Sequence, residues 1–378
     1  MARIAGVDIP KDKKVAYSLR YVHGIGLKTA LDICEQAKVD PNTRVTDLSS
    51  KQEDEIRKVI VDLKLLIEGE LRSENLKNVK RLQDIGSKFA RVKITQNSND
   101  IFLDPNIDLI CIASYDEFHF EQVLMALKNN KHIYVEKPIC LSEVELKKIR
   151  KIFKKYPNLH LSSNMVLRTC PLFKKVKASI MSRTMGNIYH IEADYLWGRK
   201  QKLISGWRAN AETFSIIYGA AIHMVDLTMW LTEKKPLRVQ ALGNRITTSG
   251  TKQKNNDFAV FLLEFEDKMS IKISAHGGCV HPHFHSLKVF GENSTFIHES
   301  TGTVWANSSN PNEKLICEHE DYPAKTQRDG ALVSFITSLK SSSEKPLISQ
   351  QEVLDTMSVC FAAEEAVKTG KIVEIQYL

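Results

Sequence analysis

The chain has 378 residues, which at roughly 150 residues per domain predicts two or three domains with substantial cores. Lysine and arginine exceed aspartate and glutamate by eight and the pI is near 8.9, a mild excess that suits anionic substrates, nucleotides or RNA without choosing among them. The cysteines lack CxxC pairs, no apolar run approaches the ~20 residues that span a bilayer, and the N-terminus lacks the apolar core of a signal peptide, so we expect a cytoplasmic protein with reduced thiols and no membrane partner.

The N-terminal segment predicts a helix–hairpin–helix whose turn is His23-Gly24-Ile25-Gly26. The two glycines permit a tight turn with exposed backbone amides at the N-terminus of the second helix, where a phosphate can bind, and Lys28 adds a cation. This turn is not a dinucleotide fingerprint, because it follows an amphipathic helix and not a buried strand. The helices predicted here cover residues 15–22, 27–37, 51–66 (capped by Ser49 or Ser50) and 75–85.

The stretch from Ile107 to Ile139 predicts one βαβ unit with a parallel strand pair. Its first strand is a near-continuous apolar run, as expected for a strand buried on both faces. Its second strand ends in Glu136, Lys137 and Pro138, which places an ammonium group at the carboxyl edge of a parallel sheet, where open α/β sheets bind ligands. The alternative is a surface lysine beside a turn proline. The three elements are strand 107–113, helix 118–129 and strand 132–135.

The elements around this unit predict a change from a parallel to an antiparallel sheet, because several short alternating strands follow one another. A helix with His223 and Asp226 interrupts them. The predicted strands are 92–95, 159–165, 188–195, 238–246, 258–265, 270–275 and 286–290, and the predicted helices are 142–153, 171–182, 216–231, 331–339 and 350–368.

A group of metal-ligating side chains lies close together in the sequence at His276, Cys279, His281, His283 and His285. The last three histidines alternate, so they share a face if the segment is extended, and three imidazoles could hold zinc. The glycines and the proline in this stretch favour a loop, and histidines beside a substrate pocket explain the pattern equally simply. We therefore predict no metal site.

Residues 1–87 resemble bacterial small-subunit ribosomal protein thirteen, through ARIAGVDIP, YVHGIG, DPNTRVTDLS and EGELRSENLKNVKRLQDIGS. The resemblance implies that Gly24, Gly26 and Lys28 contact ribosomal RNA phosphates and that this part meets other ribosomal proteins. The family continues into a glycine- and arginine-rich tail, whereas this chain continues with KFAR and a predicted strand, so we expect weakened RNA binding. The alternative is a small helical domain whose glycine turn only connects helices.

Residues 92–378 resemble the Gfo/Idh/MocA oxidoreductases, through DPNIDLICIAS, KHIYVEKPICLS, SGWR and GAAIHMVDLTMWL. The resemblance implies an NAD or NADP cofactor and a sugar or cyclitol substrate, with a homo-oligomer possible through the antiparallel sheet. Lys137 would activate the substrate hydroxyl and His223 would take its proton. The implied cofactor contacts are Ser114, His119, Glu136 and Lys137, and the implied substrate contacts are Trp207, Arg208 and Asp226.

Two departures from this family bear on activity. The aspartate that commonly lies four residues before the histidine is Gly219 here, although Asp226 shares the helix face of His223. The opening strand, the GxGxxG turn and the acidic residue for the ribose are also absent, which predicts negligible dinucleotide affinity and an open edge on strand 107–113.

The leading interpretation is a chimaera of mixed fold class. It comprises an all-α helix–hairpin–helix segment (1–87), an incomplete Rossmann-like α/β sheet (88–168) and an α+β substrate domain with an open antiparallel sheet (169–378). The predicted function is an NAD(P)-dependent sugar or cyclitol oxidoreductase that is impaired. The alternatives are ribosomal RNA binding through residues 1–87, or a join produced by sequence assembly.

Overall fold

The fold, a computed structural model, is described for residues 3–63, 65, 67, 93–211, 214–341 and 343–377. The chain divides into two units, Met1–Asn97 and Ser98–Leu378, each considered by itself. No helix within the described ranges has the length and apolar character needed to cross a membrane.

The first unit contains the predicted helix–hairpin–helix. Val15, Leu19 and Ile33 are fully buried in its core, and Ser49 caps the third helix through a capping box with Gln52. The prediction missed a two-residue strand pair, and the third helix ends earlier than predicted. The helix predicted over residues 75–85 lies outside the described residues. The elements are β1 (Arg3–Ile4), β2 (Val7–Asp8), helix Val15–Ser18 with the 3₁₀ turn Leu19–Tyr21, helix Leu27–Gln36, the 3₁₀ turn Val45–Asp47 and helix Ser50–Asp62.

The second unit begins with helix Asn99–Phe102 and the predicted parallel sheet. Its strands are β3 (Leu109–Ile112), β4 (His132–Val135) and β5 (Leu161–Ser163), in the order β3-β4-β5, and helices Asp116–Lys128 and Glu143–Phe153 connect them. Ser142 caps the second of these helices, as predicted. Residues 93–95, predicted as part of a strand, are not in one.

Strand β3 is buried on one face, which corrects the expectation of burial on both. Ile110 and Ile112 are buried against the core, whereas Cys111 and Ala113 are exposed. Within the described residues β3 pairs with β4 alone.

A second sheet of nine strands follows, in the order β13-β12-β11-β10-β6-β9-β8-β7-β14. Its neighbouring strands are antiparallel except for β6 and β9, which run parallel, so the sheet is mixed and not purely antiparallel as predicted. The strands are β6 (Ile188–Leu196), β7 (Arg238–Asn244), β8 (Phe258–Glu264), β9 (Ser270–His276), β10 (Phe284–Gly291), β11 (Thr295–Glu299), β12 (Gly302–Ala306), β13 (Ile316–Cys317) and β14 (Val373–Glu374).

Helices pack both sheets into one continuous hydrophobic core, which includes Val135, Phe173, Ile191 and Val359. The most buried of them is Ile222–Thr232, in which every residue except Trp230 is buried. A buried helix that carries a histidine and an aspartate must supply partners for both side chains or have a function for them. The helices of this part are Pro171–Met181, Lys200–Ile204, Gly206–Asn210, the π-turn Ile217–Ala221, Ile222–Thr232, Gly330–Lys340 and Gln350–Thr369, with 3₁₀ turns at Val166–Thr169 and Lys325–Gln327.

Candidate active site

Lys137 stands two residues beyond β4, at the carboxyl edge of the parallel sheet. Its Nζ donates a hydrogen bond to the carbonyl oxygen of Gly219 at 2.7 Å. Burial lowers the pKa of Lys137 below its ordinary value, against the opposing effect of Asp116. Because Gly219 lies about one helical turn before His223, this contact brings the ammonium group toward the helix that carries the histidine.

His223 is the second residue of helix Ile222–Thr232, and this helix follows the π-turn directly. Such single π-turns are frequent at functional sites. The Nδ1 atom of His223 is buried and has no hydrogen-bond partner among the described residues. Burial, and next the charge of Lys137, holds the pKa of His223 well below its ordinary value, so the imidazole is neutral at pH 7 and can accept a proton.

An aromatic and polar cluster lies against His223. The ring of Tyr195 stacks on the imidazole with centroids 5.9 Å apart, and its hydroxyl lies 3.0 Å from Nε2 of His283. The rings of His283 and His285 are 4.8 Å apart, and Nδ1 of His285 is 2.7 Å from the hydroxyl of Tyr322. Burial raises the pKa of Tyr195 to about 12 and lowers the pKa of His283 to about 4, so both groups are neutral at pH 7.

The sequence pattern identified the two histidines of this cluster but not the two tyrosines. Tyr195 lies near the end of β6 and Tyr322 lies in a loop, and neither position carries a local signal. His276 and Cys279 lie nearby in the chain, yet within the described ranges no three histidine, cysteine, aspartate or glutamate side chains are arranged to hold a metal ion.

Trp207 and Arg208 lie on the short helix Gly206–Asn210. The Trp207 ring stacks on Tyr115, which is at the carboxyl edge of the parallel sheet, with centroids 4.9 Å apart. The guanidinium carbon of Arg208 lies 4.3 Å from the centroid of Trp207 and 5.5 Å from that of Trp197. Burial lowers the pKa of Arg208, but a guanidinium remains charged at neutral pH. Among the described residues, no carboxylate lies within 4.0 Å of the Arg208 guanidinium.

Asp226 lies in the core, which corrects the expectation that it contacts substrate or orients His223. It is fully buried, and its two oxygens accept hydrogen bonds from Nη2 and Nε of Arg168 at 2.7 and 2.9 Å. Arg168 also donates to Glu352 on the last long helix. Arg168, which donates hydrogen bonds to this carboxylate, is 58 residues away in sequence, so no local pattern could predict the contact.

The expected cofactor contacts lie at the strand ends, with one exception. Ser114 and Glu136 follow β3 and β4, and Glu136 accepts a hydrogen bond from Asn164 at 2.6 Å. His119 is fully buried, with its ring nitrogens 2.6 and 3.2 Å from the carbonyl oxygens of Pro138 and Ser114. His119 therefore fixes the two loops to each other, and its burial excludes the expected direct contact with a cofactor.

The predicted RNA-binding residues of the first unit are close together on its surface. Gly24 has a φ of +100°, which favours glycine, and Gly26 is the N-cap of helix Leu27–Gln36. Both glycines and Lys28 are exposed, while Ile25 between the glycines is buried and anchors the turn. The exposed amides and the ammonium group thus surround one helix N-terminus, as a phosphate site requires.

Comparisons with known proteins match different families to different parts of the chain. The family model described as "Ribosomal protein S13/S18" matches residues 3–89. The model described as "Oxidoreductase family, NAD-binding Rossmann fold" matches residues 71–164, and "GFO/IDH/MocA C-terminal domain" matches residues 173–297. The first two matches overlap over residues 71–89, the region in which the sequence changes character.

Solved structures show the same fold at low sequence identity. Scyllo-inositol dehydrogenase from Lactobacillus casei, with bound NAD(H) and scyllo-inositol, is 20% identical with a TM-score of 0.61, over 77% of this chain and 87% of its own. Myo-inositol 2-dehydrogenase from Lactobacillus plantarum is 19% identical with a TM-score of 0.61, over 75% and 84%. An NAD-binding oxidoreductase from Klebsiella pneumoniae is 13% identical with a TM-score of 0.67, over 77% and 86%.

The larger part of the chain therefore has the fold of a nicotinamide-dependent oxidoreductase: a parallel sheet with a ligand edge, followed by a large mixed sheet. That part belongs to the GFO/IDH/MocA family and the first part to the ribosomal protein S13/S18 family, so the chain is a chimaera, as its sequence predicts.

Proposed function

We propose that the second unit is an oxidoreductase that moves a hydride between NAD or NADP and a hydroxyl-bearing carbon of a sugar or cyclitol. The observation that carries this proposal is the approach of Lys137 to the helix of His223, through the 2.7 Å hydrogen bond to Gly219. The ammonium group and the neutral imidazole come from different elements, and the charge of Lys137 acts on His223. Solved structures with this fold include two inositol dehydrogenases, which supports a polyhydroxylated substrate.

Each of the two side chains has a distinct role in this proposal. The neutral imidazole of His223 accepts the proton of the substrate hydroxyl, a task for which an unprotonated histidine is suited. The ammonium group of Lys137 stabilises the negative charge that develops on the substrate oxygen. The ring of Trp207 and the charge of Arg208 hold the substrate above the site. The nicotinamide, when bound, accepts the hydride.

The residues present suit the reacting end of the cofactor better than its diphosphate. Ser114, Glu136 and Lys137 lie where the nicotinamide end would bind, at the carboxyl edge of the strands. The sequence contains no GxGxxG turn after a strand to hold the diphosphate, and no acidic residue in the position that reads the ribose. We therefore expect weak dinucleotide affinity, so activity requires a large excess of cofactor, and NAD and NADP are to be tested in parallel.

The test is reduction of NAD or NADP in excess by a panel of cyclitols and aldoses. We expect His223→Asn and Lys137→Met each to lower the rate by about 100-fold or more, because each removes a group that acts in the transition state. His190→Asn, which changes a half-exposed histidine on the outward face of β6, is the matched control and should keep full activity. Unchanged rates in both site variants would contradict the proposal.

A second candidate function is ribosomal RNA binding by the first unit, with ribosomal proteins as further partners. Two observations favour it: the exposed phosphate-binding turn at Gly24 to Lys28, and a separate cleft of about 630 Å³ lined by Lys13, Lys14, Arg20 and Arg44. The expected result is binding to small-subunit RNA that weakens with salt, and Lys28→Ala should reduce the slope of log affinity against log salt by about 1. Binding without salt dependence would reject this function.

Copies of the second unit are proposed to associate through the outward face of the nine-stranded sheet. Leu242 and Leu262 are 68% and 49% exposed on adjacent strands of that face, where a second copy could cover them. Light scattering should show a dimer or larger assembly, and Leu262→Glu should produce the monomer. A monomeric parent protein would contradict this proposal.

A further inference from the structure

Three arginine side chains lie around the cluster of Tyr195 and His283. Arg199, Arg208 and Arg328 are each close enough to Tyr195 to lower the pKa of its hydroxyl, although burial has the larger effect and raises it. Within the described ranges none of the three guanidinium groups has a carboxylate within 4.0 Å. Lysines at 202 and 325 add to the positive charge around His283.

Backbone contacts hold Arg199 next to the site. Its amide donates to the carbonyl oxygen of Gly277 at 3.2 Å, directly after β6. The preceding residue, Gly198, has a φ of +59°, and a Cβ there would lie 1.8 Å from the carbonyl oxygen of His281. Glycine at residue 198 lets the loop that contains His281 pack directly against the backbone. This close packing fixes the backbone position of Arg199.

Arg328 is placed by a different element, the loop that contains Tyr322. The hydroxyl of Tyr322 accepts a hydrogen bond from the backbone amide of His285 at 2.8 Å, and it lies 2.7 Å from the ring nitrogen of the same residue. These two contacts of Tyr322 hold the loop against β10. Tyr322 lies six residues before Arg328, so the contacts also restrict the position of Arg328. Arg328 is half-buried and acts electrostatically on His223, His283 and His285.

The neighbouring histidines neither add to nor offset this positive charge, because burial keeps their imidazole rings neutral at pH 7. Among the described acidic groups, Asp116 acts electrostatically on Arg208 and Lys137. Guanidinium groups that have no carboxylate partner among the described residues concentrate positive potential, and their geometry matches that of a carboxylate or phosphate.

We propose that the substrate of this site carries an acidic substituent, a carboxylate or a phosphate, which Arg199 and Arg328 bind while the reacting hydroxyl faces Lys137 and His223. This inference rests on the proposed function for the identity of the reacting end. It narrows the substrate from polyols in general to sugar acids and sugar phosphates.

The test compares D-glucuronate with D-glucose, which have the same ring and differ in whether C6 is a carboxylate or an alcohol. Calorimetry of the full chain without any dinucleotide should show glucuronate binding about tenfold more tightly or better, as expected for one charge-assisted contact. Glucose 6-phosphate in parallel separates carboxylate from phosphate recognition. Arg199→Gln and Arg328→Gln should each remove most of the preference, whereas Lys252→Gln, an exposed residue distant in sequence from both arginines, should keep it.

Equal affinities for the charged and neutral sugars, unchanged glucuronate affinity in both arginine variants, or no binding of glucuronate would each overturn the inference. Circular dichroism of the variants verifies that they are folded. Because the titration contains no dinucleotide, it is independent of turnover. If the protein prefers glucuronate but reduces neither NAD nor NADP, the proposed binding of an acidic substituent stands and the proposed oxidoreductase activity is wrong.

Discussion

The two sheets of the second unit differ in how completely they are covered. In the parallel sheet, β3 has an open edge in the described structure and an exposed face at Cys111 and Ala113. In the nine-stranded sheet, the central strands β6 and β9 are paired on both sides, and Ile191 and Ile271 are fully buried. Among the described residues, the nine-stranded sheet is therefore covered more completely than the parallel sheet, whose strand β3 has one neighbour.

The two groups that we propose for proton transfer are held independently of the GxGxxG element that the sequence lacks. Lys137 comes from the parallel sheet and His223 from the helix Ile222–Thr232, and both are set by contacts inside one continuous core. The proposed chemistry can therefore be retained while cofactor affinity is lost. Two properties can be tested by substitution: the difference in coverage between the two sheets, and the strength of the contact that joins them.

The largest expected effect concerns the joint between the two halves. Arg168 follows β5, Asp226 lies on the helix of His223, and their ion pair is buried. Asp226→Asn should lower the free energy of unfolding by about 3–5 kcal/mol, because it leaves a buried guanidinium without its closest counter-charge. The measurement is denaturant unfolding of the parent and the variant.

The matched control for that experiment is Asp267→Asn, which breaks the pair with Lys234, where both side chains are about half exposed. An exposed pair contributes less than about 1 kcal/mol, so the control should be nearly silent. Equal losses in the two variants would show that Arg168 and Asp226 do not join the halves.

The second effect is acid sensitivity of the nine-stranded sheet. Burial lowers the pKa of His298 to about 4, and its Nε2 is without a partner in the described structure. Between pH 6.5 and about 4 the unfolded chain binds a proton that the folded chain does not, so stability falls as the pH falls through this window, by about 3 kcal/mol for this residue.

The variant that tests this effect is His298→Phe, which suits a site beside Phe173, Phe284 and Phe296. Unfolding free energies measured from pH 7 to pH 4 should fall less steeply in this variant than in the parent. His319→Asn, at an exposed histidine, should keep the parent slope. A parent-like slope in His298→Phe would contradict the assignment.

The smallest effect concerns the open edge of the parallel sheet. Cys111→Lys places a charge on β3 and should slow aggregation during refolding several-fold without loss of stability, because charged edge strands resist pairing with other chains. Cys317→Lys, at an exposed cysteine on the edge strand β13 of the other sheet, is the control. We expect turbidity to fall for Cys111→Lys alone. Equal turbidity in the two variants would contradict the difference that we propose between the edges of the two sheets.

Local signals in the sequence predicted much of this molecule. Ser49 and Ser142 form the capping boxes at the helix starts expected for them, and β4 has the predicted bounds. The lysine at the strand end and the histidine on the interrupting helix were found in the same way, since each stands at a boundary with a recognisable pattern.

The features that the sequence did not reveal depend on distant pairing. Asp226 was expected at the substrate because its partner Arg168 is remote in sequence, and the parallel pairing of β6 with β9 leaves no trace in alternation. Arg199 and Arg328 are separate exposed or half-exposed basic residues until the fold brings both to Tyr195. Tertiary contact, and not local propensity, decided each of these cases.

The proposed function implies a protein that has a substrate site but binds dinucleotides weakly. Titration of the purified full chain with NADH and NADPH, followed by nicotinamide fluorescence, tests it directly, with the Lactobacillus casei scyllo-inositol dehydrogenase as the positive control. We expect no saturation across the micromolar range, because the sequence has no GxGxxG turn after a strand to hold the diphosphate. Saturable micromolar binding with one dinucleotide per chain would contradict it.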